Sequence, residues 1–535
     1  MKKNISPLSL LFLLCVAALC GCTDDDDPIS VTDGTPLTIH ATADGFTSTD
    51  GVNTRAMENG YTTTFTTGDA IGVFAVDKNG AVIADCKNVK CTYSADGSWT
   101  AESSAPVYYY TGAQYFAYYP YKSELSAENI TEVSGIVDYF NKNIATDQST
   151  YAKYTACDLM TTTQNVSPTT SGGNKSLSFS FTHRMSLIEI SLPMQKYKTS
   201  EDADAYEYSS RILSGTFSIV PGTANEGASS ITPCSMGNGV YRCIIPANTS
   251  YKVGGEFSAG DKTIEYSKED LSLSAGNYQR LNVTYSGAPI VRALAVGDFY
   301  CKDAISGTGY LIPGDITELT EEQKAACLGI VMKVGRGTNE GTTGNEDKDA
   351  KKWTDTDTYM LKGTTTKMST IHGYVLALKD GNGGSACAWA SFNTQIGTDQ
   401  SQYTLFCGYS NMQTIKTYLS KNSDKRSLQT DFPAAYHASE GYETIESGKY
   451  SSPSNSSGWF LPSAGQCWYW YKNKDLLEES MKKAERDGWY QYYWSSSEDG
   501  YYPVGDAWYV NFNDGSVYYN NKNYRNCRVR SCLAF

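Results

Sequence analysis

Short runs in which apolar and polar residues alternate fill the first half of the chain. Examples are Leu37–Ala43, Ala70–Val76 and Leu187–Leu192. Alternation with a period of two is typical of strands that bury one face, and the clusters of Gly, Asn and Asp between the runs predict turns. Because this stretch is much longer than one sandwich of about 100 residues needs, we predict two tandem β-sandwiches, at residues 37–182 and 183–288.

Residues 291–535 mix strand patterns with helical ones, which predicts an α+β domain. Ser463 and Gln466 have the spacing of a capping box, in which the serine accepts from the backbone and the glutamine reaches back. Four apolar residues share one face of the helix that follows: Trp470, Leu477, Met481 and Ala484. Gly488 is the expected helix end, because glycine tolerates the left-handed backbone found there.

Composition and charge narrow the range of possible functions. Of the 535 residues, 13% are aromatic, with 41 tyrosines, and the formal net charge is −14. That charge argues against a nucleic-acid partner, which requires a basic surface. Four histidines occur, far apart in sequence, so we expect neither a histidine metal site nor a cofactor. The common catalytic motifs are absent from the sequence, and we expect no enzyme, although a hydrolase using the polar loop at 335–357 is a weaker alternative.

The N-terminus has the pattern of an export signal. Two lysines precede the apolar run Leu8–Leu19, which is too short to span a bilayer as a helix. The run ends in a sequence that resembles a bacterial lipobox, so we predict a lipoprotein signal peptide at 1–21 and lipid attachment at Cys22. Residues 22–36 are an acidic tether, which includes Asp24–Asp27. The alternative is an ordinary signal peptide with a chance cysteine.

Two cysteines invite a geometric prediction. If Asn238 and Gly239 form a two-residue hairpin turn, Cys234 and Cys243 face each other across the ladder, within reach of a disulfide. Two buried free thiols are the equal alternative. The pairing of the other cysteines beyond the anchor does not follow from the sequence.

Three stretches of the front half resemble the fimbrillin family of Bacteroidetes surface pilins. They are Asn53–Ala56 followed by Phe65–Phe74, then Tyr115–Pro120, then Phe181–Ile190. Their order suits the family, and the acidic run after Cys22 resembles the export tag of surface lipoproteins from the same bacteria. The resemblance implies a lipoprotein on the outer face of the outer membrane, with a place in a fimbrium. The alternative is an anchor that faces the periplasm.

The resemblance also implies an assembly mechanism. Such pilins are cut after an arginine, which removes the first strand and leaves an apolar groove that a neighbouring subunit fills with its own strand. The matching bond here is Arg55–Ala56, and Leu37–Ala43 is the removable strand. The partners would be other pilus subunits, by donor-strand exchange. The alternative for Arg55 is a solvated loop arginine with no role in processing.

The second half resembles the major paralogous domain of Fibrobacter and the related collagen-like-adhesin C-terminal domain, which implies a fold related to C-type lectins. The residues that carry the likeness are Val296–Tyr300, Cys327–Val331, His372–Leu378, Gly458–Gln466, Tyr493–Glu498, Ala507–Trp508, Arg528–Arg530 and Leu533–Phe535. One departure is Ser531–Cys532, where the family usually has Pro-Val.

A lectin-like domain implies recognition of a glycan or another ligand on a host or bacterial surface. Aromatic rings stack on sugars and planar polar groups bond them, so the candidate binding residues are Trp468, Tyr492, Tyr501, Tyr502, Asn511, Asn513 and Asp514. Three other tryptophans lie in fold-defining motifs and are predicted to be core: Trp459, Trp494 and Trp508. Residues 511–514 are too few for a calcium site, and we predict no metal.

Together these patterns predict a mainly β surface lipoprotein of the fimbrillin type, with an adhesive C-terminal head. Because the sequence ends at Phe535 inside a predicted strand, we expect a tip or accessory subunit that accepts a strand and donates none. The alternative is a monomeric, lipid-anchored surface protein that binds glycans and does not polymerise.

Overall fold

The structure is a computed structural model. It describes residues 32–49, 61–102, 105–202, 205–222, 229–260, 262–336, 338–340, 353–422, 426–486 and 488–535. Three predicted features lie outside these residues: the signal peptide at 1–21, the lipid attachment at Cys22, and the processing bond Arg55–Ala56. The fold is mainly β, as predicted.

Among its described residues, the first region contains eleven strands and two helices. The strands are β1 (Thr32–Pro36), β2 (Thr38–Ala43), β3 (Thr47–Ser48), β4 (Ala70–Val76), β5 (Val89–Tyr93), β6 (Trp99–Ala101), β7 (Tyr108–Tyr110), β8 (Gln114–Tyr119), β9 (Met160–Thr162), β10 (Thr169–Ser171) and β11 (Asn174–His183). The helices are α1 (Val133–Lys142) and α2 (Tyr151–Thr155), and two 3₁₀ turns cover Ala84–Cys86 and Ser123–Ser126.

Eight of these strands form a barrel-like sheet, in the order β10-β11-β2-β6-β5-β4-β8-β9. It closes because the end of β11 also pairs with β9, from Phe181↔Thr162 to His183↔Met160. The inner faces share one core, which includes Ile39, Trp99 and Phe179. Alternation along β4 puts Val73 in that core and Phe74 on the outside against α1.

The described part of the second region contains ten strands. They are β12 (Met185–Ser191), β13 (Met194–Lys198), β14 (Glu207–Arg211), β15 (Gly215–Pro221), β16 (Cys234–Ser235), β17 (Val240–Pro246), β18 (Tyr251–Ala259), β19 (Lys262–Leu271), β20 (Asn277–Asn282) and β21 (Ile290–Val291). Sheet β16-β17-β12-β20-β3 packs against sheet β15-β18-β19 around a shared core. A third sheet has the order β14-β13-β21.

The third region mixes strands and helices. Its strands are β22 (Phe299–Lys302), β23 (Gly309–Ile312), β24 (Cys327–Val334), β25 (Thr338–Glu340), β26 (Trp353–Thr354), β27 (Gly373–Asp380), β28 (Tyr492–Glu498), β29 (Asp506–Asn511), β30 (Val517–Asn521) and β31 (Arg530–Ala534). Its helices are α3 (Glu321–Ala326), α4 (Gly408–Ser420), α5 (Leu428–Asp431), α6 (Pro433–His437), α7 (Glu440–Thr444), α8 (Ala464–Lys472) and α9 (Lys474–Lys483). Two 3₁₀ turns cover Asn382–Gly384 and Ile445–Gly448.

The sheets of this region have the orders β23-β22-β24-β27-β31, β28-β29-β30 and β25-β26. Its core forms a single cluster that includes most of the tryptophans, and Trp459, Trp494 and Trp508 are buried as predicted. The domain boundaries at 182 and 288 stay predictions. No helix among the residues with described positions is long and apolar enough to cross a bilayer.

The predicted helix after Ser463 is present but broken. Ser463 and Gln466 form the capping box, as expected. The helix then stops at Lys472 and restarts at Lys474, because Asn473 leaves the helical region with ψ near 11°. The end predicted at Gly488 is wrong, since α9 ends at Lys483 and Glu485 takes the left-handed φ of 55°.

The prediction that Cys234 and Cys243 face each other is wrong. Cys234 lies opposite Arg242 instead, because the turn has three residues, Gly237–Gly239, all with positive φ. A shift of one residue turns a side chain to the opposite face of a strand. Cys234 therefore packs in the core beside α1 and Cys243 in the core of the second region, and both are free thiols.

Candidate functional site

Strand β2 lies between two neighbouring strands and pairs with one of them over many more residues than with the other. It runs parallel to β11 over six residue pairs, from Thr38↔Ser176 to Ala43↔Phe181. On its other side it pairs with β6 at Ile39↔Trp99. Parallel pairing between strands far apart in sequence leaves β2 with no tight turn to either neighbour. The strand is therefore held in the barrel wall by pairing with strands that are distant in sequence.

The inward face of β2 closes the barrel core. Leu37 is 8% exposed and Ile39 is 3% exposed, and Thr38 between them points to solvent. This is the face predicted from the alternation in the sequence. Without β2, the inward side chains of β11, Leu177, Phe179 and Phe181, would lose their cover. An apolar groove with open backbone groups would result.

The segment before Arg55 supplies strands to two regions. β2 completes the barrel, whereas β3 pairs in parallel with β20 at the edge of the second region's sheet, at Thr47↔Asn277 and Ser48↔Tyr278. Thr47 also donates its amide to the carbonyl of Gly276 at 2.8 Å. A cut after Arg55 would therefore break the covalent link between the rest of the chain and strands that belong to both regions.

Three tyrosines of the third region form a row across one face of sheet β28-β29-β30, which we call the tyrosine row. Tyr492, Tyr509 and Tyr518 lie on successive strands, with ring centroids 5.5 Å apart for the first pair and 6.1 Å for the second. Tyr518 is 49% exposed. Burial, followed by the nearby Cys527 and Tyr492, raises the pKa of Tyr509 to about 12, so its hydroxyl stays a neutral hydrogen-bond donor.

Sequence reasoning missed Tyr509, the centre of this row. The signal was the alternation along Ala507–Phe512: with Trp508 in the core, its neighbour Tyr509 belongs to the opposite face.

Tyr501 and Tyr502 stand apart from the row, in the loop between β28 and β29. Tyr501 is 88% exposed and Tyr502 is 56% exposed. Asp499 fixes the loop by accepting from the Tyr502 amide at 2.7 Å. The fully buried pair Lys522–Glu498 anchors it from below, since Lys522 also donates to the carbonyl of Pro503 at 2.7 Å. The two rings are thus presented to solvent on a fixed base.

Two groups of predicted binding residues have structural roles. The prediction that Trp468 is an exposed binding residue is wrong, because its side chain is 2% exposed and packs edge-on to Tyr403. Asn511 and Asp514 build the turn between β29 and β30, because they accept from the amides of Asn513 and Ser516. Asn513 itself is exposed at that turn.

Among the residues with described positions, no group of three or more His, Cys, Asp or Glu has the arrangement of a metal site.

Residues 54–297 match the family model described as "Fimbrillin-like". This stretch includes the barrel wall from β4 onward and the whole second region. We call residues 54–297 the fimbrillin-like region after this match. The third region follows it, and β1, β2 and β3 precede it.

Similarity to known proteins extends beyond the fimbrillin-like region. A Bacteroides ovatus protein named "Putative fimbrium tip subunit Fim1C" is 27% identical over 488 residues, 85% of this chain and 84% of that protein. The crystal structure of a fimbrial protein from Bacteroides ovatus is 23% identical, covers 95% of this chain and 100% of that one, and has a TM-score of 0.39. The crystal structure of a fimbrial assembly protein from Parabacteroides distasonis is 11% identical, covers 52% of this chain and 98% of that one, and has a TM-score of 0.27.

Proposed function

We propose that this chain is a tip or accessory subunit of a fimbrium, with a front half that accepts a strand from a neighbouring subunit and a third region that serves as an adhesive head. The observation that carries the proposal is the position of β2, a separable strand that closes an apolar core. A strand from another subunit would restore the same backbone pairing by β-augmentation.

Two observations support a place at the tip. The relative that this chain resembles over 85% of its length carries the name of a tip subunit. In addition, β31 is committed to its own sheet, pairing with β27 from Tyr374↔Ala534 to Asp380↔Arg530. The Phe535 amide and carbonyl also bond to Gly373 and His372. This segment is therefore not a free donor strand.

Processing at Arg55–Ala56 is testable by substitution. We expect Arg55→Ala to prevent the loss of mass that processing causes and to prevent incorporation into fimbriae. Arg525→Ala, at an exposed arginine, should leave processing and incorporation unchanged. The measurement is a gel of surface fractions together with purified fimbriae. Unchanged mass and assembly in Arg55→Ala would reject the cut site.

Lipid attachment at Cys22 separates the proposal from its alternative, an anchored glycan-binding monomer. A subunit cut after Arg55 loses the lipid, whereas an anchored receptor keeps it on the outer membrane. Metabolic labelling with a fatty acid, followed by recovery of fimbriae, distinguishes the two outcomes. Mature protein that retains the lipid and never enters fimbriae would favour the monomer.

For the head, we propose that the tyrosine row and the loop of Tyr501 and Tyr502 contact a glycan on a host or bacterial surface. Exposed rings on a fixed base provide stacking surfaces at little entropic cost. We expect the double variant Tyr501→Ala, Tyr502→Ala to lose binding on a glycan array. Tyr151→Ala, which removes a tyrosine 64% exposed in the first region, is the control. Equal glycan binding by the double variant and by the Tyr151→Ala control would place the site elsewhere.

A further inference from the structure

A cleft of about 620 Å³ lies on the third region, and none of the tyrosines of the row lines it. Four segments line it: the end of β27 with its 3₁₀ turn, the turn at Ile445–Gly448, the residues after α9, and β31 with the arginine just before it. Its charged lining residues are Lys379, Asp380, Glu446, Glu485, Arg486, Arg528 and Arg530. This volume is in the range of small-ligand sites and far exceeds the space a lone ion needs.

Asp380 positions two guanidinium groups at the base of the cleft. Its carboxylate accepts from Arg530 Nε at 2.7 Å and from Arg528 Nη1 at 3.1 Å. The Tyr493 hydroxyl donates to the same carboxylate at 3.0 Å. One carboxylate thus balances two arginines, and the base of the cleft keeps a positive charge.

Arg530 holds an unused donor inside the protein. Its side chain is 1% exposed, and its Nη1 atom has no hydrogen-bond partner among the residues described. The ring of Trp489 lies 4.9 Å from the guanidinium carbon, a stacking contact that leaves the in-plane donors unsatisfied. A buried donor without an acceptor is costly, so this atom indicates an acceptor supplied from the cleft.

Arg486 adds a third guanidinium group, at the rim of the cleft. The left-handed φ of Glu485 turns the chain, and the Arg486 amide closes the end of α9 by donating to Met481 at 3.0 Å. Its Nε atom is buried without a partner in the described part of the chain. Lys449 lies near it: partial burial, then the like charge of Arg486, lowers the pKa of Lys449.

The carboxylates at the rim have other partners. Glu446 forms an ion pair with Lys379, and Glu485 forms one with Lys324 outside the cleft. The lining thus carries four basic side chains against three acidic ones, a net excess of positive charge. A planar fork of donors matches a carboxylate in shape as well as in charge.

We infer that this cleft binds the carboxylate of an acidic saccharide, with Arg530 and Arg486 as the donors. The inference rests on the proposed adhesive function of the head and adds a site separate from the tyrosines, whose ligand class is an acidic saccharide. The carboxylate would accept from Arg530 Nη1 at the base and from the Arg486 guanidinium at the rim. The sugar ring would lie in the remaining volume of the cleft.

Calorimetric titration of the full chain tests this, with digalacturonate as the acidic probe, galactobiose as its neutral counterpart and sodium sulfate as a bare anion. We expect digalacturonate alone to bind with a defined stoichiometry. Arg486→Gln should weaken binding about tenfold, the size of a lost charged hydrogen bond. Lys482→Gln on α9 is the matched control, because Lys482 is 71% exposed and does not line the cleft.

Arg530→Lys is the second variant, since it keeps the buried charge and removes the fork. It should also weaken digalacturonate binding at least tenfold, with unfolding by tryptophan fluorescence used to verify the fold. The inference would be overturned if galactobiose or sulfate bound as tightly as digalacturonate. It would also be overturned if Arg486→Gln bound digalacturonate with the affinity of the wild type. Glycan-array binding by a wild-type chain that ignores digalacturonate would overturn it alone and leave the adhesive function standing.

Discussion

Lys522 and Glu498 form an ion pair in which both side chains are fully buried. Glu498 also accepts from the amides of Ile396, Gly397 and Thr398 at 2.7 to 3.0 Å. The ammonium of Lys522 donates to two backbone carbonyls besides the carboxylate. Because all these groups are paired, the network fixes the loop that carries Tyr501 and Tyr502.

Removing one member of such a pair leaves the other charge buried alone. We expect Lys522→Met to lower the free energy of unfolding of the third region by about 3–5 kcal/mol. Tryptophan fluorescence during urea unfolding measures it, because every tryptophan except Trp99 lies in that region. Lys482→Met, at an exposed pair with Glu478, should cost less than about 1 kcal/mol. Equal losses in the two variants would contradict the account.

The free state of Cys234 and Cys243 gives a second prediction at this scale. Because the two side chains point into different cores, alkylation in denaturant without a reductant should label both residues completely. Peptide mass mapping after digestion checks this result. A peptide pair linked by a disulfide between these cysteines would show that the register is wrong.

Residue positions were predictable where the pattern was strong. Burial of Trp459, Trp494 and Trp508 follows from the strand motifs that contain them. Trp468 was misplaced because α8 is buried nearly all round, so its helical position does not show which face meets solvent. The cleft residues Asp380 and Arg530 were missed because they are far apart in sequence and meet only when β27 and β31 pair.

The element that matters most is β2. Its face was readable from the alternation of Leu37, Ile39 and the alanines that follow. The parallel pairing with β11 was not readable, because it joins residues more than 130 positions apart in the sequence. The break at Asn473 was likewise hidden, since the apolar positions stay in phase across both helices.

Strand β2 contributes to stability through one side chain above all. We expect Ile39→Ala to destabilise the barrel by about 2–5 kcal/mol, because it opens a cavity under the strand. Thr38→Ala on the same strand is the control, since its side chain points to solvent. Hydrogen exchange of amides in β11 and β6 is the measurement. Unchanged protection in Ile39→Ala would show that β2 does not cover the core.

At the scale of the whole molecule, the second and third regions are joined by a packed interface. Arg211 of β14 donates to Asp303 at 3.0 and 3.4 Å, and both side chains are nearly buried. The Tyr206 ring stacks on His372 at 4.5 Å and lies 5.4 Å from Phe535. The interface therefore fixes the proposed head on the fimbrillin-like region.

Acid should weaken this interface. Burial alone raises the pKa of Asp303, but the hydrogen bonds from Arg211 and Ser306 outweigh it, and the net pKa is lower than the usual 3.8. A carboxyl with a lowered folded pKa stabilises the protein above its unfolded pKa, and that contribution is lost as pH falls through the folded value. Stability from this pair should thus be complete at pH 7 and decline below about pH 4.

Asp303→Asn should remove that contribution at pH 7, and thermal unfolding of the variant should depend less on pH below 4 than the wild type. Asp315→Asn is the matched control, because Asp315 is exposed on the same region. Identical pH profiles for Asp303→Asn and the wild type would show that the pair contributes nothing to the interface.

Strand replacement is the central claim, and peptide complementation tests it most directly. A chain beginning at Ala56 lacks β1, β2 and β3, and is titrated with a synthetic peptide of residues 36–49. We predict saturable one-to-one binding and recovery of amide protection in β11, β6 and β20, with none of this for the same peptide carrying Ile39→Asp. Full protection without peptide, or no binding of the natural peptide, would contradict the account.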